Sequence, residues 1–518
     1  MSTAVEEAEK VTGSTEERVV VRRPVDGAAI AELPVADAAE VAAKAARLRA
    51  AQAEWAELGF GGRREWLEKL RDWMLVESER IADVMQAESG KVRADATLEV
   101  PYCADALNFY ASNAAEFLAD ETPSAHFPAL KVKRLRITRE PVGLVGVISP
   151  WNFPLILSLG DAIPALAAGN AVLIKPSELT PLCLMEVVRG WKQIGAPDVL
   201  DVVNGFGDTG GALIDEVDYV QFTGSDRTGR VVLKRAADTL TPVSLELGGK
   251  DPALVLRDAN LERAANATAF GGLMNSGQIC MSIERVYVER PVYDEFLTKL
   301  TEKVQALRQG ADGRSFSADV GAMTSPAQTD IVAEHVEDAR SKGARILTGG
   351  KRGDGPGDWY EPTVIADVDH SMAVMRDETF GPVIGVMAVE DADHAVELAN
   401  DSRYGLSGSI FSGDVKAAER MARRLEIGSC NVNDTLINYN ALELPMGGWK
   451  TSGIGTRHGR DGVRKFTRTR SILSPRGPEL DSELLWYPIT PLKRGLFGRV
   501  TRFFGSRGLG RLGLGKRG

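Results

Sequence analysis

Between residues 155 and 247 short, continuously apolar runs alternate with stretches that carry helical spacing, and this alternation leaves few folds open. Residues 155–168 read as helix, Ala171-Val172-Leu173-Ile174-Lys175 as strand, 181–194 as helix and 199–203 as strand. A short helix over 209–215, a strand over 218–222, a helix over 225–237 and a strand from Val243 to Leu247 complete the series. A strand that is apolar on both faces has to be covered on both faces, so the pattern predicts βαβ units and a parallel sheet between helical layers. Sheets of this kind bind ligands at the carboxyl ends of their strands. A second alternating region runs from near Pro252 to about 435, with helices near 261–275, 291–308, 325–342, 391–400 and 414–425.

The flanks differ in kind. Residues 1–18 read as a disordered arm, and three amphipathic helices follow at 37–58, 63–88 and 94–118, the first with Asp37 as its N-cap. Two β runs lie near 131–138 and 142–148, and a third spans 464–474 after the glycine-rich stretch Met446 to Gly455. From about 476 the chain turns Pro/Gly-rich and then basic.

Composition excludes several classes. With 62 basic against 72 acidic residues the net charge is −10, which argues against nucleic acid as a partner. The cysteines, Cys103, Cys183, Cys280 and Cys430, form no CxxC pair, and the histidines form no HExxH pattern, so no metal site is expected. No run of 18 apolar residues exists, and the acidic N-terminus lacks the apolar core of a signal peptide. Few cysteines in a long chain suit a reducing compartment, so a cytoplasmic protein is expected.

Three residues stand where chemistry could be done. Cys280 closes the run Asn275-Ser276-Gly277-Gln278-Ile279-Cys280, whose small residues would let a substrate reach the sulfur. A buried, inert cysteine is the commoner outcome for such a residue taken alone. Glu246 ends a strand before Leu247-Gly248-Gly249-Lys250, the place for a general base if burial raises its pKa, or simply for a solvated carboxylate. Asn152 is fixed between prolines in Pro150-Trp151-Asn152-Phe153-Pro154, as an oxyanion donor or as an Asx-turn residue. Two glycine motifs compete for a dinucleotide: Gly205-Phe206-Gly207-Asp208-Thr209-Gly210, which matches GxGxxG, and Phe222-Thr223-Gly224-Ser225 with Gly229. Lys175-Pro176-Ser177-Glu178 adds a cation and an acid at another strand end.

Taken in order with Gly277-Gln278-Ile279-Cys280, Glu378-Thr379-Phe380-Gly381-Pro382, Asn431-Val432-Asn433 and Pro445-Met446-Gly447-Gly448-Trp449-Lys450-Thr451-Ser452-Gly453, these motifs resemble the aldehyde dehydrogenase superfamily over roughly residues 20–475. The resemblance implies an α/β fold. A parallel-sheet cofactor domain would span 19–130 and 149–251, and an α/β catalytic domain 252–445. A small β oligomerisation element would combine 131–148 with 464–475, and 476–518 would be a tail. It implies Cys280 as nucleophile, Glu246 as the base that activates water, and Asn152 with the Cys280 backbone N–H as oxyanion hole. For the cofactor it implies Trp151, Lys175, Ser177, Glu178, Gly224, Ser225, Gly229, Leu247, Gly248, Glu378 and Phe380. Gly207 would lie in a loop near the adenine. NAD is expected, with NADP possible, because Glu178 can bind a ribose hydroxyl and would repel a 2′-phosphate. A homodimer or homotetramer is implied.

The chain departs from the family's pattern in two places. Many members carry Arg-Glu where this chain has Thr456-Arg457-His458, which puts a glutamate proton relay in doubt. The surroundings of Cys280 resemble a bacterial branch assigned to succinate semialdehyde, yet the positions that would supply arginines for a distal carboxylate hold Gly160 and Met274. A general aliphatic or aromatic aldehyde is the alternative substrate. The other readings are a non-catalytic dinucleotide-binding protein and a phosphorylating or CoA-acylating enzyme; the presence of Cys280, Asn152 and Glu246 speaks against both. In the tail, eight basic residues and no acidic one follow Glu483, interleaved with Leu496, Phe497, Val500, Phe503 and Phe504. Peripheral membrane contact is one reading. Gly495, Gly498 and Gly505 favour the other, packing on a neighbouring subunit.

Overall fold

The computed structural model describes residues 18–127, 130–478 and 481–505. All of the expected N-terminal arm except Arg18, and the last thirteen residues of the tail, 506–518, lie outside the described residues. The chain forms two compact units, 1–117 with 142–466, and 118–141 with 467–518.

The larger unit holds two large sheets and two small two-stranded ones. In the first the order is Gly453–Ile454, Val243–Glu246, Tyr219–Thr223, Leu144–Ile148, Ala171–Lys175, Leu200–Val202. Every pairing is parallel except that of Gly453–Ile454 with Val243–Glu246. The second sheet runs Arg345–Thr348, Thr363–Ala366, Val383–Val389, Ile283–Glu289, Asp251–Val255, Ser409–Phe411, Asn431–Val432, antiparallel only at Arg345–Thr348. Apolar side chains pack on both faces of this second sheet, as continuous apolar strands require.

One strand sits elsewhere than expected. Leu144–Ile148 does not join the small β element. It lies inside the first sheet, between Ala171–Lys175 and Tyr219–Thr223. Leu144, Val145, Gly146 and Val147 are all buried, so the run lacks the alternation of a half-exposed ribbon. Gly146 is required there, because a Cβ would come within 2.4 Å of Leu213 Cδ2 on the covering helix Gly207–Glu216. Lys133–Pro141 does pair antiparallel with Thr467–Pro475, along its whole length, and this ribbon is the core of the smaller unit. Other differences are local. The helix expected at 155–168 is regular only over Leu159–Ala167, the one expected at 63–88 breaks at Glu77, and a hairpin of Arg18–Arg22 with Ala29–Pro34 had no strong signal.

One buried carboxylate fixes the segment that follows Asn152. Glu99, on the helix Arg93–Phe117, accepts from Lys91 Nζ at 2.6 Å and from the backbone N–H groups of Leu155 and Ile156 at 3.0 Å each. Lys91 Nζ lies 3.8 Å from the centre of the Phe153 ring. Losing the carboxylate strands a buried ammonium and two buried donors, a defect of about 3–5 kcal/mol. Glu99→Ala is therefore expected to lower the melting temperature by about 5 °C or more in differential scanning fluorimetry. A shift below about 1 °C contradicts this role.

Candidate active site

Cys280 is presented by a loop in an uncommon conformation. After the helix Leu261–Leu273, Asn275 (φ 52°), Ser276 (φ 56°) and Gly277 (φ 71°) are left-handed in succession. For Asn and Ser that conformation costs energy, and the surroundings hold it. The Asn275 N–H donates to Asp95 Oδ2 at 2.9 Å, and Ser276 Oγ donates to the Gly321 carbonyl at 3.0 Å. Gln278 donates through Nε2 to the Asn275 carbonyl at 3.0 Å and accepts from the Thr324 N–H at 2.9 Å. A Cβ on Gly277 would come 2.0 Å from the Gly381 carbonyl oxygen, so the loop closes there only with glycine.

Asn152 is tied to the same loop. Its Nδ2 donates to the Gln278 carbonyl at 2.9 Å, and its own carbonyl accepts from Asn275 Nδ2 at 3.0 Å. One amide hydrogen of Asn152 remains available. The Cys280 backbone N–H makes no hydrogen bond among the described residues.

Two cavities meet at Cys280. One, of about 520 Å³, is walled by Leu98, Pro101, Tyr102, Phe153, Ile156, Leu157, Phe270, Met274, Ile279, Met281, Ile437 and Tyr439, with Asp105 the only charged residue of its lining. The other, of about 260 Å³, is lined by Trp151, Asn152, Thr223, Gly224, Ser225, Leu247, Gly248, Gln328, Glu378 and Phe380 among others. Cys280 and Leu157 line both. Burial pushes the thiol up to about 12; Arg457 pulls the other way, and Asp251, Glu378 and Glu246 add to the rise. Cys103 and Cys183 are buried in helices.

Glu246 ends its strand in a buried nest of charges. Its Oε2 lies 3.8 Å from Arg457 Nη1, and its Oε1 has no partner. Burial pushes the carboxyl up to about 7, against the pull of Arg457 and Lys465. Arg457 donates from Nε and Nη2 to the two oxygens of Asp161, at 2.8 Å each, and also donates to Thr223 Oγ1. Glu246 lines neither cavity. A carboxylate with one free oxygen and a pKa near neutrality has the properties of a general base.

Of the remaining expected site residues, Trp151, Gly224, Ser225, Leu247, Gly248, Glu378 and Phe380 come together around the smaller cavity. Lys175, Ser177, Glu178, Gly207 and Gly229 do not line it. Ser225 caps the helix Asp226–Thr239, its Oγ accepting from the Thr228 N–H, so the positive end of that helix opens on the cavity. Gly229 serves packing, since a Cβ there would press on Leu247 Cδ2 at 2.6 Å. Glu378 accepts from the Gly249 N–H at 3.0 Å, and burial, with Glu284 adding to it, pushes its carboxyl up to about 8. The Phe380 ring meets Trp151 edge-on at 5.4 Å. Lys175 and Glu178 face each other at 4.0 Å, and a Cβ on Gly210 would touch the Lys175 stem, which places Lys175 against the first turns of the helix Gly207–Glu216.

The sequence reading missed three groups. Asp161 is a lone acid inside an otherwise apolar helix, a signal in itself. Arg457 stood out only as a departure from a pattern. Glu284 is buried among strand residues and accepts from Lys250, Thr379 and Phe380, so it fixes the loop that carries Glu378. His458, next to Arg457, bonds Tyr102 at 2.9 Å, and burial together with Arg457 lowers it to about 3, which keeps it neutral. Among the described residues no group of three or more His, Cys, Asp or Glu could hold a metal ion.

Comparison with known proteins gives a consistent picture. Residues 11–472 match the aldehyde dehydrogenase family. A protein of Mycolicibacterium smegmatis that carries the provisional name succinate-semialdehyde dehydrogenase (NADP+) is 40% identical over 488 residues, 92% of this chain and 94% of that one. A Methylomonas protein named 4,4′-diapolycopene aldehyde oxidase is 41% identical over 472 residues, 90% of this chain and 87% of that one. The structure of a betaine aldehyde dehydrogenase variant from Staphylococcus aureus in complex with NAD+ superposes with a TM-score of 0.84 at 30% identity, covering 89% of this chain and 95% of that one. The chain belongs to the aldehyde dehydrogenase family.

Proposed function

We propose that this enzyme oxidises an apolar aldehyde to its carboxylic acid through a thioester on Cys280, with NAD or NADP as hydride acceptor. The observation that carries the reading is the place of Cys280, on the wall of both the apolar cavity and the glycine-lined one. A sulfur so placed can hold an aldehyde carbon between a substrate on one side and a nicotinamide on the other.

The residues around the smaller cavity fit a dinucleotide. The capped helix end at Ser225 suits a pyrophosphate, and the lack of a side chain at Gly248 leaves room beside Glu378, where a Cβ would come 2.4 Å from Glu378 Oε2. Glu378 suits a ribose hydroxyl, and Trp151 with Phe380 forms an apolar wall for a ring. Glu178 is the acceptor for the other ribose, with Lys175 beside it softening the preference for NAD. When bound, the nicotinamide supplies the hydride acceptor.

The chain's own groups supply the rest. The Cys280 thiol gives its proton to solvent water as sulfur bonds to the carbonyl carbon and the C=O electron pair moves onto oxygen, because burial disfavours a free thiolate. The Asn152 amide and the Cys280 N–H stabilise the oxyanion. After hydride loss leaves the thioester, Glu246 takes a proton from water, the water oxygen joins the acyl carbon, and the carbon–sulfur bond breaks to return the thiol. Because Glu246 lines neither cavity, it reaches that water by rotating its side chain or through a second water. Arg457, held by Asp161, keeps the base from rising further.

An apolar substrate fits the larger cavity. Its lining holds no lysine or arginine, so the distal carboxylate of succinate semialdehyde would find no cation, only Asp105. The Methylomonas relative is named for a long apolar aldehyde. Succinate semialdehyde stands as the second reading, on the name of the Mycolicibacterium relative. The exposed Ile472 and Leu473 of the Thr467–Pro475 ribbon suit contact with further copies, as a homodimer or homotetramer.

Three outcomes test the reading. Cys280→Ala should abolish turnover, while Glu246→Gln should give one burst of reduced cofactor per site and then stall, because hydride transfer and hydrolysis use different groups. Sustained turnover in either variant contradicts the roles. The base is active as the carboxylate, so the deacylation rate should rise roughly tenfold per pH unit below about 7 and level off above it. A rate that is flat from pH 5 to 8 in stopped flow, windows chosen about that pKa, removes Glu246 as the titrating group. On a panel of aldehydes, kcat/KM should favour straight-chain and aromatic members over succinate semialdehyde by at least about tenfold, the worth of a single methylene in an apolar pocket, and NAD should exceed NADP. The reverse order would restore the second reading.

A further inference from the structure

We infer that the segment Leu485 to Phe503 is a docking surface for an anionic lipid membrane. It belongs to the smaller unit and takes no part in the chemistry above. Pro491–Gly505 forms a helix, so the glycines do not prevent one. At about 100° per residue, Leu492, Leu496 and Phe503 fall within about 40° of one another, and Gly495, Gly498 and Gly505 fall outside that stripe. Leu492 is 82% exposed and Leu496 51%. Phe497, about a third of a turn away, meets the Phe127 ring at 6.1 Å, so the helix is held from a different side. Just before it, Leu485, Trp486, Tyr487 and Ile489 are exposed as well. Lys493 Nζ donates to Ser482 Oγ at 2.7 Å and to the Trp486 carbonyl at 3.1 Å, drawing this aromatic segment back against the first turn of the helix.

Charge decides what covers these side chains. The chain as a whole carries −10, yet after Glu483 its sequence has eight basic residues and no acidic one. Arg499 is exposed in line with the apolar stripe, about 20° from Leu492, while Arg494 is exposed on the opposite side of the helix. Two copies of this surface facing each other would repel. A nucleic acid would pair the cations but leave the leucines and Trp486 in water. A membrane interface meets both needs: apolar side chains enter the headgroup boundary, cations meet anionic lipids, and Trp and Tyr sit at headgroup level. No helix among the described residues is long and apolar enough to cross a membrane, so the contact is peripheral.

The inference rests on this segment and not on the substrate reading, so the two can fail separately. The test is cosedimentation of the full chain with vesicles of phosphatidylcholine, alone or mixed with phosphatidylglycerol. Binding to the mixed vesicles, lost in high salt and absent on phosphatidylcholine alone, is expected. The double variant Leu492→Glu with Leu496→Glu and the single variant Arg499→Glu should each weaken it by about tenfold or more. Gly495→Ala with Gly498→Ala, which firms the helix, should strengthen it. Turnover of a short water-soluble aldehyde and the mass by light scattering should be unchanged in all three. Failure of the full chain to bind the mixed vesicles overturns the inference. So does binding that both of these charged variants leave intact, or a variant that changes the oligomeric mass, which would make a second copy the occupant.

Discussion

Three consecutive left-handed residues, Asn275 to Gly277, set the position of Cys280. Two of them carry side chains, each at a cost of order 1–3 kcal/mol. The surrounding polar contacts offset that cost, and they come from distant parts of the chain: Asp95 from the N-terminal helices, Gly321 and Thr324 from the second alternating region, Asn152 from the first. The loop is thus the place where both halves of the larger unit are joined by hydrogen bonds. Its conformation puts the sulfur on the wall of both cavities.

A second constraint is electrostatic. Burial raises Cys280, Glu246 and Glu378 together, the first to about 12, the others to about 7 and 8. Carboxyls and thiols whose ionisation is disfavoured together in one cleft mark a candidate functional site. Arg457 is the fixed cation among them. It is tied to Asp161 through two bonds and lies 3.8 Å from Glu246, so it lends the base a positive field without donating a close hydrogen bond that would quench it. This is a different arrangement from a relay through a second glutamate. It follows from a pair of residues, Asp161 and Arg457, far apart in sequence and complementary in charge.

The sheets were legible because their strands are buried on both faces and carry continuous apolar runs. Ala171–Lys175 and Tyr219–Thr223 fall within a residue of where the pattern puts them. Leu144–Ile148 was misplaced for lack of a helix before it, although its own residues carry the apolar signature of an inner strand. Motifs located Cys280, Glu246 and Asn152, because glycines and prolines mark special backbone. They could not reveal that Glu246 points to Arg457, since a pairing between residues 246 and 457 leaves no local trace. The wall of the apolar cavity was invisible for a like reason: Tyr102, Phe270 and Ile437 come from separate elements, and each alone reads as core. Gly160 and Met274, noted only for the arginines they are not, belong to the surroundings that make the site apolar or small.

On the proposed route the substrate carbon is bound to the Cys280 sulfur on the way to the acid. Rapid acid quench of the unmodified enzyme turning over an apolar aldehyde with NAD, followed by peptide mass spectrometry, reads that bond. The peptide containing Cys280 is expected to gain the mass of the aldehyde less a hydride and a proton, and no peptide carrying Cys103, Cys183 or Cys430 to do so. An acyl group on another residue, or product formed under conditions that trap thioesters while Cys280 stays unmodified, would contradict it.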